Sequence, residues 1–332
     1  MTAVSLVAIF GFTALSVDLG NAWQNRRQLV NSTDASALAA VQEYALGGNG
    51  CTSVAGTYLS ANKSDATLVS CSPSEGAVNS ETSGDVLVTA QSTVDYAFAP
   101  VIGYDSKVVS STTVARYGIP ISVGGLRPFG LCLDALVGDP LIPDSGVQEY
   151  IDWMATDRTE PSAVAHIEYS KDANPNACNG GDPVPGNWAT MDFDGGGNSN
   201  ADIQNWTLNG YPGQVGLGEV PGDTGAFSPS LAAELSILRA SGVGTGMIFQ
   251  LPLFGSATGT GSNSTFDIVG FVSVRIEDFQ TSGSQEDRSL DLQFVKAIAE
   301  GVCCDEYGID TGTYVLQICA VHTNDRSDCE VG

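Results

Sequence analysis

The sequence predicts an α+β protein, in which a long N-terminal membrane and amphipathic helix precedes a β-rich, disulfide-linked exterior region. Three observations support this fold class. No residue is charged between Ala3 and Val17. Apolar and polar residues alternate in several later segments, as they do in half-buried strands. The chain has eight cysteines, and an even number is typical of an oxidising compartment.

The first element is a helix from Met1 to about Leu46. Its uncharged part ends at Asp18, and glycines from Gly47 onward favour termination, because glycine commonly follows the last helical residue. A helix of roughly 40 residues is about 60 Å long, and we expect its first third to lie in lipid. Beyond Asp18 an apolar stripe keeps helical spacing: Leu19, Trp23, Val30, Ala37, Val41 and Tyr44. The residues expected to serve membrane insertion or assembly are Leu6, Ile9, Phe10, Phe12, Leu15, Asp18 and Trp23.

Three other interpretations of this segment compete with a complete membrane-spanning helix. A cleaved signal peptide requires a basic start and a small-residue cleavage site, and neither is evident. A buried core helix is possible, because the apolar run is shorter than the roughly 20 residues of a full span. In the third alternative the chain starts inside the true segment, which explains the absent basic start. We expect membrane insertion with such a shortened start.

Charged side chains next to the apolar run have two interpretations. Asp18 either lies solvated at the membrane interface or pairs with a charge on a neighbouring subunit, because ionisable groups in membranes are usually partnered. Arg26 and Arg27 follow two helical turns later. We interpret them as anchors to lipid headgroups.

The same stretch resembles the N-terminal segment of TadE/TadG-like proteins of Flp (Tad) pilus systems. The shared pattern is an apolar helix, a V-D-x-G step, an aromatic residue, a basic-Gln-Leu step and an N-x-x-D-A segment rich in alanine. The corresponding residues are Val17 to Gly20, Trp23, Arg27 to Leu29, and Asn31 to Ala40. Segments 126–133, 185–196 and 266–274 also resemble TadG-like proteins of high-GC Gram-positive bacteria. The resemblance implies a structural role in a pilus machine and supplies no catalytic residues.

Composition bounds the possible partners. The chain has 38 acidic and 13 basic residues, a formal net charge of −25. Such a charge repels polyanions, and no basic stripe or RNA-binding motif is visible. The sequence therefore predicts no nucleic-acid partner, and it is consistent with an exposed envelope protein or a salt-adapted source.

The cysteines predict a disulfide framework. Cys51 and Cys71 flank a small α–β unit and are the first expected pair, and Cys132 with Cys178 is the second. Adjacent cysteines can hardly pair without strain, so we expect Cys303 and Cys304 to take separate partners from Cys319 and Cys329. Zinc is not expected, because the C-x2-C spacing is absent.

The remaining chain divides into a small α+β, pilin-like unit at 47–117, a Pro/Gly-rich linker at 118–128 and a β-rich domain at 129–332. In the small unit we expect a helix at 51–62, strands at 66–71, 85–96 and 107–116, and a turn at 98–103. In the last domain we expect strands at 163–169, 188–193, 246–254, 265–277, 289–298 and 313–321. Helices are expected there at 198–208 and 228–238, the first with Ser199 or Asn198 as its N-cap. A loop is expected at 174–186, and segments 129–136 and 147–154 are ambiguous.

The best candidate ligand site is a glycine-rich loop with oxygen-bearing side chains at alternate positions. Ca²⁺ takes six to eight oxygen ligands, and the possible ligands are Asp192, Asp194, Asn198, Asn200 and Asp202. The order of an EF-hand is absent. A turn after a strand is the competing interpretation, because Asp, Asn and Gly are favoured in turns for their backbone geometry.

Catalysis has little support in the sequence. No G-x-S-x-G or P-loop motif occurs, and the chain has two histidines, His166 and His322. A lone histidine is more often structural than catalytic. We therefore predict no enzyme activity, no certain cofactor beyond possible Ca²⁺, and no small-molecule substrate.

Together these observations predict a single-pass protein of the bacterial cell membrane with an exterior C-terminal region. Its partners would be the membrane and other pilus or pilus-assembly subunits, and its role that of a minor pilin or an assembly component. The alternative is an envelope calcium- or carbohydrate-binding module with no pilus role.

Overall fold

The computed structural model describes residues 2–75, 83–133, 164–168, 188–197, 199–222, 227–239, 246–259, 264–284, 287–305 and 308–321. The chain forms two compact units. Unit 1 comprises Met1–Tyr117 and Leu316–Gly332, and unit 2 comprises Gly118–Val315. Helices lead the chain and strands follow, so the α+β fold class is confirmed.

Unit 1 begins with helix α1 (Thr2–Ala45), a single helix of 44 residues. The backbone N–H groups of Gly47 and Gly48 donate to the carbonyls of Tyr44 and Glu43, at 3.0 and 2.8 Å. This is the Schellman arrangement, which requires a left-handed residue just past the helix, and Gly47 has a φ of +87°. The prediction of one long helix ended by glycine is confirmed.

Helix α2 (Cys51–Asn62) and three antiparallel strands complete the first part of unit 1. The strands are β1 (Ala66–Glu75), β2 (Gly84–Asp95) and β3 (Ser106–Gly124), and a short 3-10 turn (Ala99–Ile102) joins β2 to β3. Val88 of β2 pairs with Thr113 of β3. The predicted helix and strands are confirmed, although β1 and β3 are longer than expected.

The core of unit 1 lies between the two helices and the sheet. Small side chains of α1 (Ala37, Ala40) and α2 (Ala55) are fully buried and pack with Val86 and Val88 of β2. Small residues at helix contacts permit a close approach of the backbones. The Cys51–Cys71 disulfide, which joins α2 to β1, confirms the first expected pair.

Unit 2 is built mainly of strands. One of its sheets contains β4 (Phe129–Cys132), β5 (Val164–Glu168), β6 (Trp188–Thr190), β8 (Gly218–Pro221), β9 (Phe249–Thr258), β10 (Thr265–Gln280) and β11 (Ser289–Phe294). The strand order is β5-β11-β10-β9-β4-β6, with β8 paired to β10. Further short strands are β7 (Gln214–Gly216), β12 (Ala297–Ile298) and β13 (Gly301–Asp305), and β14 (Thr313–Val321) closes the series.

Two helices of unit 2 cover part of its core. Helix α3 (Asn200–Asn209) is capped by Ser199, as predicted. A 3-10 turn (Pro229–Leu231) leads into α4 (Ala232–Leu238), where one longer helix was expected. Buried apolar residues of α3, α4 and the sheet form one cluster, which includes Ile203, Leu235, Phe249, Leu253 and Phe294.

The sequence-based boundaries differ from the structure in one important place. The expected linker at 118–128 is largely strand, because β3 continues to Gly124. The second half of β3 pairs with β7 at Ser122 and with β13 at Val123. Proline and glycine marked this stretch as a linker, but Pro120 is tolerated beside an irregular register. Segments 147–154 and 174–186 lie outside the described residues.

The C-terminal cysteines differ from expectation. Cys303 and Cys304 are bonded to each other across a cis peptide, so the expectation of separate partners is wrong. The cis arrangement brings the two Cα atoms to 3.1 Å, closer than a trans peptide allows. Cys132 and Cys319 are also disulfide-bonded, while Cys178 and Cys329 lie outside the described residues.

Within the described part of the chain, no helix contains a stretch that is both long and apolar enough to cross a bilayer. Leu6, Ile9 and Phe10 lie outside the residues whose side chains the structure describes.

Candidate functional site

Helix α1 has a row of exposed apolar side chains near its N-terminal end. Phe12, Leu15, Leu19 and Trp23 are all exposed, Leu19 by 68% and Trp23 by 63%. Their spacing of three, four and four residues puts them on one face of the helix. We call this row the apolar face of α1.

The apolar face stays open because α2 covers a different part of α1. A helix of 12 residues is about 18 Å long, against about 66 Å for α1. Cys51 and Ala55 of α2 pack with Ala37 and Val41, which lie in the C-terminal third of α1. The predicted apolar stripe is therefore divided: Ala37 and Val41 are buried in unit 1, whereas Leu19 and Trp23 are exposed.

Asp18 lies about a quarter turn from the apolar face of α1, against the turn that follows β2. Its carboxylate accepts hydrogen bonds from three consecutive backbone N–H groups: Ala97 at 2.8 Å, Phe98 at 3.0 Å and Ala99 at 2.7 Å. Only 3% of the residue is exposed. These donors begin the 3-10 turn at Ala99–Ile102, where backbone N–H groups otherwise lack partners.

The electrostatics of Asp18 follow from these contacts. Burial raises the pKa of the carboxyl group, but the hydrogen bonds from Ala97, Ala99 and Phe98 outweigh it, and the pKa lies below its ordinary value. Asp18 is thus buried, and the expectation of a solvated carboxylate differs from the structure; pairing with a charge on another subunit stays a prediction. Its partners come from the same chain and are backbone amides.

Further polar contacts fix α1 to the sheet. The Asn21 side-chain amide donates to the carbonyl of Asp95 at 3.5 Å. Ser92 donates to Asn25 Oδ1 at 3.3 Å, and Thr113 donates to Asp34 Oδ1 at 2.7 Å. Sequence reasoning missed these contacts, although Asn21 and Asn25 follow Asp18 at helical spacing.

Arg26 and Arg27 extend the apolar face with positive charge. Both are exposed, and the Arg27 guanidinium lies 5.0 Å from the centroid of the Trp23 ring, within the range of a cation–π contact. With Trp23, Val30 and Asn31 they line a shallow concavity on α1. This is a basic patch in a strongly acidic chain.

The loop predicted to bind calcium follows β6 in unit 2. Asp192 is buried, and its carboxylate accepts hydrogen bonds from the backbone N–H groups of Asp194, Gly195 and Gly197, at 3.3, 3.0 and 2.9 Å. Gly195 and Gly197 have positive φ values of +70° and +77°, which glycine adopts without cost. The loop therefore folds around the Asp192 carboxylate.

Two other predicted ligands, Asp194 and Asp202, also accept hydrogen bonds from their own loop. Asp194 accepts from the N–H of Gly196 at 2.9 Å. Asp202 accepts from the backbone N–H and hydroxyl of Ser199, at 3.1 and 2.7 Å, and these bonds lower its pKa. Asp202 completes the capping box of α3 with Ser199. Asn200 is the first residue of that helix. Asn198 lies outside the described residues, and calcium binding stays a prediction.

Within the described ranges, no three or more His, Cys, Asp or Glu side chains are grouped to hold a metal ion. His322 and the side chain of His166 lie outside what the structure describes. The N-terminal half of α1, with its exposed apolar face and the turn bound by Asp18, is the best-defined candidate site.

The fold and this site define an α+β protein that is led by one long, partly exposed helix. Residues 1–43 match the family model described as "Putative Flp pilus-assembly TadE/G-like". The resemblance to TadE/TadG-like proteins is thus confirmed over α1. No curated protein and no solved structure matches the chain.

Proposed function

We propose that this protein is a structural component of a Tad/Flp-type pilus, either a pilin-like subunit or a factor of pilus assembly. The observation that carries the proposal is the apolar face of α1, which lies within the matched segment and is open to solvent. A row of large apolar side chains on a helix is a surface for association, because it removes apolar area from water when it is covered. Its partners would be the apolar helices of other pilus subunits.

Membrane anchoring is part of the same proposal. The uncharged run from Ala3 to Val17 would lie in the bilayer and end just before Asp18. Arg26 and Arg27 would then stand two turns outside, where basic side chains meet anionic headgroups. The strands and disulfides would lie on the exterior of the cell envelope. The assembly role requires no catalysis, because subunits associate through surfaces.

Fractionation of native cells tests the proposal. The cell surface is sheared, and sheared filaments, membranes and medium are each probed for this protein. We expect it in the filaments or in the membranes. Presence in filaments identifies a pilus subunit, and presence in membranes alone identifies an assembly factor.

Recovery only as soluble, N-terminally trimmed protein would overturn membrane anchoring. A polar substitution in the apolar face supplies the matched test of its role. Leu19→Glu is expected to remove the protein from filaments, or to abolish pili. The control Ile237→Glu changes an equally exposed apolar residue of unit 2.

A further inference from the structure

The loop between β2 and β3 exposes a second group of apolar side chains in unit 1. It runs from Tyr96 to Tyr104 without a charged residue. Phe98, Val101 and Tyr104 are exposed, and Val101, at 89%, is the most exposed large apolar side chain in the described part of the chain. We call Tyr96 to Tyr104 the apolar loop.

The apolar loop is held at one level of α1. The three hydrogen bonds to Asp18 bind its first residues, Ala97 to Ala99. The strand before it lies along α1 in the opposite direction, because Ser92 contacts Asn25 and Asp95 contacts Asn21. The loop therefore lies beside Asp18, where the uncharged run of α1 ends.

The side chains near the apolar loop indicate which kind of partner would contact it. Trp23, Arg26 and Arg27 are exposed on α1 one to two turns further along, and exposed Lys107 follows the loop on β3. Aromatic and basic side chains next to an apolar segment are typical of a membrane interface. Asp95 and Asp105 flank the loop on the side away from its tip, so the loop can enter the interface only as far as these carboxylates allow.

We propose that the apolar loop is a second membrane contact, which inserts Phe98, Val101 and Tyr104 into the headgroup region of an anionic phospholipid bilayer. The inference rests on the membrane anchoring proposed above. It adds that unit 1 is attached to the bilayer at two points, the uncharged run of α1 and the loop. Two attachment points restrict the rotation of the unit about the helix axis. Asp18 is the positioning residue, because it fixes the loop to the helix.

Depth-dependent fluorescence quenching tests the proposal on the full chain. An environment-sensitive fluorescent amino acid is installed at position 15, 101 or 69, one at a time. Each protein is reconstituted in phosphatidylcholine vesicles containing phosphatidylglycerol, with spin labels either near the headgroup or deep in the acyl chain. Position 69 is the matched control for position 101, because Val69 is also an exposed valine of unit 1. Val69 lies on β1 between residues that pair with Ala90 and Thr89, and it is therefore further from the apolar loop and from Asp18.

We expect the fluorophores at 15 and 101 both to be blue-shifted and quenched by the labelled lipids. Because position 15 lies about 4.5 Å before Asp18 along the helix, the ratio of deep to shallow quenching should be higher at 15 than at 101. The fluorophore at 69 should resemble the protein in water. If 15 is quenched by the deep label and 101 behaves as 69 does, the loop contact is wrong and the anchoring stands. If neither 15 nor 101 is quenched, the proposed anchoring fails as well. A blue shift at 101 without quenching would mean that another protein subunit, rather than lipid, covers the loop.

Discussion

The Asp18 carboxylate accepts a hydrogen bond of 2.7 Å from the backbone N–H of Ala99, 81 residues further along the chain. Together with the N–H groups of Ala97 and Phe98, this contact joins α1 to the turn between β2 and β3. It lies within residues 1–43, the segment that matches the pilus-assembly family model. The aspartate of the V-D-x-G step therefore has an intramolecular structural role.

The first prediction concerns this contact. In Asp18→Asn the side-chain amide nitrogen replaces one acceptor oxygen, and it cannot accept a hydrogen bond from an N–H group. We expect the amide protons of Ala97, Phe98 and Ala99 to exchange faster, on the order of tenfold or more, because hydrogen bonds to charged groups are the stronger ones. Hydrogen exchange measures this directly.

The matched control is Asp105→Asn, which changes an exposed carboxylate at the other end of the same loop. It should leave the exchange of the three amides unchanged. Equal effects of both variants would mean that net charge, rather than the Asp18 contact, controls the loop.

A second prediction is a pH dependence with a defined sign. The folded-state pKa of Asp18 lies below the ordinary value of 3.8, so the native state favours its ionised form. The stabilisation is fully present above the unfolded-state pKa, and it is lost as the pH falls through the lower folded-state pKa. The difference in thermal stability between wild type and Asp18→Asn should thus be constant above about pH 5 and decrease below about pH 4. A difference that grows on acidification would contradict the assignment.

The third prediction tests the apolar face of α1. Leu19→Glu should leave the Tm of the protein nearly unchanged, since Leu19 is largely exposed and surface substitutions typically change stability by less than about 0.5 kcal/mol. It should nevertheless reduce association with other pilus subunits, measured by photo-crosslinking from position 15 in cells. Ile237→Glu is expected to retain the crosslinks. Retention of crosslinks by Leu19→Glu would exclude this face as the contact surface.

The fourth prediction concerns the Cys51–Cys71 disulfide. It closes a loop with a sequence separation of 20, for which the chain-entropy model gives about 3 kcal/mol of stabilisation. We expect Cys51→Ala combined with Cys71→Ala to lower the free energy of unfolding by about that amount. Denaturant unfolding of the full chain, followed by a probe in unit 1, measures the loss. A decrease in the free energy of unfolding well below about 1 kcal/mol would show that the disulfide adds little to the stability that the core already gives to unit 1.

The fifth prediction concerns calcium. The Asp192 carboxylate is already bound by backbone N–H groups of its own loop, and Asp202 is bound by Ser199. We therefore expect the same Tm in calcium and in chelator. An increase in Tm with calcium that disappears in Asp194→Asn would instead support the site predicted from the sequence. Asp287→Asn, which removes another exposed carboxylate bound by a serine, is the matched control.

Local sequence signals predicted many elements correctly. The end of α1 at glycine, the Ser199 cap of α3 and the alternation in β2 depend on contacts within a few residues. Such signals can be interpreted from sequence because each is satisfied by its own neighbours. The Cys51–Cys71 pair could be expected for the same reason, since its two cysteines flank one short α–β unit.

Contacts between distant segments could not be predicted in this way. Nothing near Asp18 in the sequence indicates that its partners are Ala97 to Ala99, because backbone amides carry no side-chain signal. The pairing of Cys303 with Cys304 was missed since sequence alone does not specify a cis peptide. Pro120 and its neighbours suggested a linker, whereas pairing with β13 makes them strand.

The sequence by itself determined the long N-terminal helix, its uncharged start and the likeness to pilus-assembly proteins, because periodicity, charge and motif order are properties of the chain alone. Only the tertiary structure decided which part of that helix is buried. Helix α2 and the sheet cover Ala37 and Val41, but they leave Leu19 and Trp23 in water. Burial depends on where other segments pack, and the open face of α1 is therefore a consequence of the fold.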